Sequence, residues 1–222
     1  MAEIEHDPEE HSPWPAFADL LAATSLLFLI LFAATTVPAI GRNRARESTL
    51  ARIDSALTRT AERHRVSVSR PGDYLLLRIE GDATFPQRRS ELADLRPEGR
   101  RILRAFGTYL RSDSGLIASI DQIQVVGHTS REGADSTNWR LSAARAASVA
   151  LFLIDSVHIL PCQVTALGRS RYYPRSPERA RASRDPDPAD RRIEIEIRPR
   201  IPGDAEQERQ RGRCVQDTQR PR

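Results

Sequence analysis

The chain has 222 residues, room for one ordinary domain with appendages, and carries 34 basic against 30 acidic residues for a net charge of +4. All the basic residues are arginines beyond residue 41. They spread over loops and tail rather than gathering on one helix or interleaving with aromatics, which argues against nucleic acid as a partner. Hydrophobic content of 39% is low for a single globule and suits a domain with a polar tail.

In chain order, residues 1–14 form an acidic segment with Glu3, Glu5, Asp7, Glu9 and Glu10. From Leu20 to Val37 no residue is charged. As helix that run is about 27 Å long, close to the roughly 30 Å hydrocarbon core of a bilayer. Trp14 stands where aromatic anchors prefer the headgroup layer, and Pro38 and Gly41 are expected to stop the helix, giving a transmembrane span over 15–40. A cleaved signal peptide would want a basic start and a shorter apolar run, so the segment is expected to be retained. Asp19 has two readings from physics alone. It is either a helix N-cap near the interface, or a functional carboxylate sharing a face with Ala22 and Ala23, which would let a partner helix approach. Arg42, Arg44 and Arg46 come directly after the span, and the positive-inside rule would put the C-terminal part of the chain in the cytoplasm.

Over 41–73, Leu50, Ile53 and Leu57 predict an amphipathic helix at 44–63, either pairing with a second copy or packing on the domain. Val66–Val68 and Tyr74–Ile79 read as strands around the turn Pro71-Gly72-Asp73. A helix over 97–111 would bury Ile102, Leu103, Phe106 and Leu110, and a second over 138–155 would bury Leu141, Val149 and Phe152. Ile123–Val126, Val164–Leu167 and a half-exposed Ile193–Ile197 are expected strands, 169–190 a long loop, and 199–222 a disordered tail. Strands alternating with helices predict an α+β domain with its helices on one sheet face. Cys162 and Cys214 show no metal spacing. A disulfide in an oxidising compartment is one reading; two unpaired thiols, in a strand and in the tail, is the favoured one.

An ordered set of motifs spans 74–198: Gly127-His128-Thr129, Gly133, Asn138, Leu141-Ser142, Arg145-Ala146 and Asp190-Arg191-Arg192-Ile193-Glu194-Ile195, led in by Phe85, Leu95 and Gly99. This set resembles the OmpA-like peptidoglycan-binding domain, which implies a βαβαβ-type α/β sandwich. By that resemblance Arg145 supplies the cation for a stem-peptide carboxylate, and Thr129, Ser130, Asn138 and Leu141 line the same pocket. A helix starting near Asn138 could add backbone N–H contacts. Ser130 stands where the family has Asp. Either the interaction is weaker, or the stem differs, or another carboxylate such as Asp135 substitutes. His128 is expected to be structural.

The stretch Pro15-Ala16-Phe17-Ala18-Asp19-Leu20-Leu21, with Phe28 and Phe32, resembles the N-terminus of MotB- and ZorB-type stator subunits. That resemblance implies an ion-binding role for Asp19, a multi-span MotA- or ZorA-like partner, a homodimer, and a single-pass inner-membrane protein with its C-terminal domain in the periplasm. The short connector leans towards the antiphage-defence ZorB type. The other reading is a structural tether to peptidoglycan with no ion path. No enzyme motif, catalytic residue, metal site or cofactor is expected.

Overall fold

The computed structural model describes residues 13–61, 66–112 and 114–200, with positions 208, 209, 212 and 214 of the tail. The acidic 1–12 and most of the tail expected to be disordered lie outside the described residues. The chain divides into two units, residues 1–43 and 44–222.

Helix α1 (Trp14–Ala61) carries apolar side chains on all sides of its first half, where Phe17, Leu21, Phe28 and Phe32 are exposed. A helix that is apolar all round suits lipid, and this one is long and apolar enough to cross a membrane. Thr24, Thr35 and Thr36 donate their hydroxyls back to carbonyls of the preceding turn, so these donors need no water. Pro38 and Gly41, expected to stop the helix, lie inside it. Proline costs one N–H and is tolerated in such helices, and Gly41 does not adopt the left-handed conformation that ends a helix.

In the second unit, Leu50, Ile53 and Leu57 are fully buried in the domain core. Of the two expected roles for residues 44–61, packing on the domain is the one adopted. Arg46 pairs with Asp73, and Glu47 with Arg70 at 2.5 Å, fastening this segment to the turn between the first two strands.

The strands flanking that turn are β1 (Val66–Ser69) and β2 (Leu75–Glu80). After the short helix α2 (Gly81–Thr84) come α3 (Pro97–Ser112), α4 (Ser114–Ala118), β3 (Ile120–His128) and α5 (Asp135–Asp155). β4 (Val164–Gly168), α6 (Pro177–Ala182) and β5 (Arg192–Pro199) complete the order. The sheet runs β1-β2-β5-β3-β4, with β3 and β4 parallel and all other neighbours antiparallel. The loop expected at 169–190 contains α6, begun by the Ser176 side chain accepting from the Arg179 amide.

Period two sets the core face. Leu75, Leu77 and Ile79 of β2, Ile123 and Val125 of β3, and Ile193, Ile195 and Ile197 of β5 point to the same side. α3 answers with Ile102, Leu103, Phe106 and Leu110, and α5 with Ala146, Val149, Phe152 and Leu153. Leu141, expected in the core, is only half-buried on α5. Burying each large aliphatic chain contributes about 1.5–3 kcal/mol.

β5 is not half-exposed, as its Ile-Glu alternation would suggest. Glu194 and Glu196 are 4% and 3% exposed. Glu194 binds Arg78 and Arg192 at 3.0 and 2.8 Å and His128 at 3.1 Å, while Glu196 pairs with Arg169 and Arg198. Long arginines from β5 itself, from β2 and from the loop after β4 cover the carboxylates, so a polar pattern is buried through pairing.

Cys162 and Cys214 form a disulfide, with Cα atoms 6.0 Å apart, against the expectation of two unpaired thiols. Cys162 lies in the 3-10 turn Pro161–Gln163 ahead of β4.

Candidate functional site

β3 ends at His128, and the turn beyond it leads into α5. Gly127 of β3 is paired with Gly168 of β4. A Cβ on Gly127 would lie 2.1 Å from the Ser142 carbonyl oxygen, and one on Gly168 2.7 Å from the Ala143 nitrogen. The missing side chains let α5 lie directly on the strands. Ser142 completes the joint: its hydroxyl donates to the Trp139 carbonyl and accepts from the Ser170 amide. The turn at 129–134 is fixed by the Thr129 amide donating to the Ser170 carbonyl and by Gly133 at φ +79°.

The result is a pocket of about 310 Å³ that brings together all five residues expected to bind peptidoglycan: Thr129, Ser130, Asn138, Leu141 and Arg145. Arg145 is 4% exposed. Its Nε donates to the Arg89 carbonyl at 2.8 Å and one terminal nitrogen to that of Pro86 at 3.0 Å, with the guanidinium 5.7 Å from the Phe85 ring centre. Among the described residues no carboxylate pairs with it. Burial, and secondarily the nearby Arg191 charge, pull its pKa down to about 10. A desolvated cation without a counter-ion favours any anion that enters. Two further groups await partners: Thr129 Oγ1 and Asn138 Nδ2 are buried without a hydrogen bond among the described residues.

Two expectations about this site need correction. α5 begins at Asp135, not near Asn138, and the Asn138 amide already donates to the Ala134 carbonyl, so it offers no anion contact. Asp135 does not line the pocket. It is held at 2.5 Å by Arg171 and at 2.8 Å by the Tyr172 hydroxyl. The carboxylate on the pocket wall is Glu132, bonded to Gln87 at 2.8 Å and Arg191 at 3.2 Å. Arg88, also on the wall, has φ 59°, an uncommon backbone for a long cationic residue and one that clusters at functional positions. Sequence reasoning missed Arg88 and Glu132; Arg191 stood in a quoted motif without being assigned to the pocket. The pocket wall thus carries three arginines against one carboxylate.

His128 is a structural residue here, buried at the end of β3 with Nε2 on Glu194. Asp190 and Arg192 likewise hold the loop before β5, Asp190 accepting from the Arg175 amide and Arg192 donating to the Tyr173 carbonyl. Asp19 lies in the first unit, exposed on α1.

Residues 85–186 match the OmpA family. The chain is 30% identical over 135 residues to the probable lipoprotein YiaD of Escherichia coli, covering 60% of this chain and 56% of that relative, so it spans about half the relative's length. Among solved structures, it resembles the cell wall anchor of the T6SS from Pseudomonas aeruginosa at 27% identity and TM-score 0.51, over 68% of this chain and 97% of that one. It also shares its fold with a putative MotB-like protein from Desulfovibrio vulgaris at 21% identity and TM-score 0.52, over 71% and 93% of the two chains. The glycine joint, the turn after β3 and every pocket residue except Arg191 fall within the stretch that matches the OmpA family.

Proposed function

We propose that the domain binds peptidoglycan stem peptides in the Arg145 pocket and that the apolar half of α1 ties this wall anchor to the inner membrane, with the domain in the periplasm. The observation that carries the reading is the buried Arg145 guanidinium without a carboxylate partner, beside two buried polar atoms that lack hydrogen bonds. A stem carboxylate would take the free edge of the guanidinium in a forked contact, and the ammonium of a diaminopimelate end would lie against Glu132. In this reading Glu132 supplies the negative charge that Ser130 lacks. The wall-anchor resemblance of the solved neighbour supports it. The experiment is co-sedimentation of the detergent-solubilised full chain with purified sacculi. Arg145→Ala and Arg145→Lys should both lose binding, because lysine keeps the charge but not the fork. Undiminished binding by folded Arg145→Ala protein sinks the proposal.

The fuller form of this reading is a stator subunit. Asp19 shares a helical face with Ala22 and Ala23 on a lipid-suited helix, an arrangement that favours close approach of partner helices around a titrating carboxylate. A dimer of this chain within a multi-span MotA- or ZorA-like partner would pass ions, protons first among them, while the domain holds the complex against the wall. The membrane potential is worth about 2.3 kcal/mol per charge per 100 mV, enough to drive such a step. Without a titrating role for Asp19 the same architecture is a passive tether.

A further inference from the structure

A second cleft, of about 540 Å³, opens on the other side of the turn after β3. Arg131 lines it, whereas its neighbours Ser130 and Glu132 line the stem pocket. The same division occurs on α5, where Asn138 faces the stem pocket and Trp139 lies against Tyr172 of the second cleft, ring centres 6.1 Å apart and planes tilted by 31°. The two depressions are therefore continuous in the chain at two points, one residue apart each time.

The chemistry of the second cleft differs from that of the first. Trp139 and Tyr172 are 46% and 54% exposed and form an aromatic pair at the cleft, with the Arg171 guanidinium 5.6 Å from the Tyr172 ring centre. Around them Arg181 and Arg184 line the cleft, and no described residue pairs with either guanidinium. Arg131 is already spent on structure, donating to the carbonyls of Ser183 and Ala180 and so holding α6 and the loop beyond it in place. An aromatic platform beside free guanidiniums fits a ligand with a flat, weakly polar ring face and a neighbouring carboxylate. A concave shape and continuity with the stem pocket favour a polymer passing through both clefts over a flat lipid surface.

We propose that this cleft is a second subsite for the sugar-proximal part of the same peptidoglycan fragment, one amino-sugar ring lying on Trp139 and Tyr172 and an adjacent stem carboxylate meeting Arg181 and Arg184. The inference rests on stem binding in the Arg145 pocket. It makes the domain a reader of the sugar–peptide junction rather than of the peptide tip alone.

The test is titration calorimetry on the detergent-solubilised full chain with two probes: a disaccharide-tripeptide containing diaminopimelate, and the same tripeptide without sugars. The wild type should bind the sugar-bearing probe roughly tenfold more tightly. Trp139→Ala, and separately the surface pair Arg181→Gln with Arg184→Gln, should bring that ratio towards one while leaving tripeptide affinity unchanged. Equal affinities in the wild type, or an undiminished ratio in every variant, would overturn the second subsite and leave the Arg145 reading standing. Failure of the wild type to bind the tripeptide overturns the Arg145 reading and this inference together.

Discussion

Gly127 and Gly168 lie opposite one another on neighbouring parallel strands, and the backbone of Ser142 and Ala143 rests where their side chains would be. The pocket exists because of that contact, since it lowers the first turns of α5 onto the turn carrying Thr129 and Ser130. A single methyl at Gly127 would have to displace backbone rather than a flexible side chain. Gly127→Ala is expected to cost about 3 kcal/mol and to weaken sacculus binding. Thermal unfolding together with co-sedimentation checks both; a variant as stable as wild type would show that α5 can lift freely.

The wall charges give a second prediction. Glu132→Gln should weaken binding of the diaminopimelate tripeptide by roughly tenfold, and Ser130→Asp in that background should recover most of the loss. Calorimetry on the double variant decides it. If Glu132→Gln binds as wild type, the ammonium is held elsewhere or not at all.

Acid stability is a third. In the unfolded chain His128 titrates near 6.5, while in the fold burial, aided by the Arg192 charge, lowers it despite the Glu194 hydrogen bond. Below about 6.5 the unfolded chain binds the proton that the fold refuses, so stability falls as the pH drops. Burial alone would raise the Glu194 carboxyl, but His128 and Arg192 together hold it well below its ordinary 4.5. Its contribution is full above that value and drains away as pH falls further. Melting temperatures from pH 8 down to pH 3 should decline in two stages. His128→Gln should flatten the upper stage and Glu194→Gln the lower; a melting temperature constant from pH 7 to 5 rules out the His128 contribution.

For Asp19 the informative variant is Asp19→Asn, nearly the same shape without a titrating proton. Under the stator reading it abolishes the driven process while membrane insertion and sacculus binding persist. Cells indistinguishable from wild type would leave only the tether.

Much of the fold was legible because its signals are local. The apolar run from Leu20 to Val37, the helical spacing of Ile102, Leu103, Phe106 and Leu110, and the alternation of β5 each announce an element within a dozen or so residues. Five of the pocket's lining residues, all between Thr129 and Arg145, were named through the resemblance of their motifs to the OmpA-like domain. Arg88 and Glu132 were not, because nothing in their own neighbourhoods marks them. Arg88 arrives on a loop that the Arg145 and Ser148 side chains pin to α5, and Glu132 is aimed by Gln87 and Arg191. β5 shows the opposite failure: its Ile-Glu pattern was plain, but two of the four arginines that bury Glu194 and Glu196, Arg78 and Arg169, come from elsewhere in the chain.

The bond between Cys162 and Cys214 bears on a question far from either sulfur. Arg42, Arg44 and Arg46 are the charges that normally keep a flanking segment in the cytoplasm, yet a wall-binding domain has to be exported. Cytoplasmic thiols stay reduced, whereas those of an exported domain can be oxidised. The two cysteines therefore record whether the domain has crossed the membrane. Protein taken from cells quenched with an alkylating reagent should carry both sulfurs blocked from reaction if the domain crossed the membrane. It should carry two alkyl groups if the arginines prevailed.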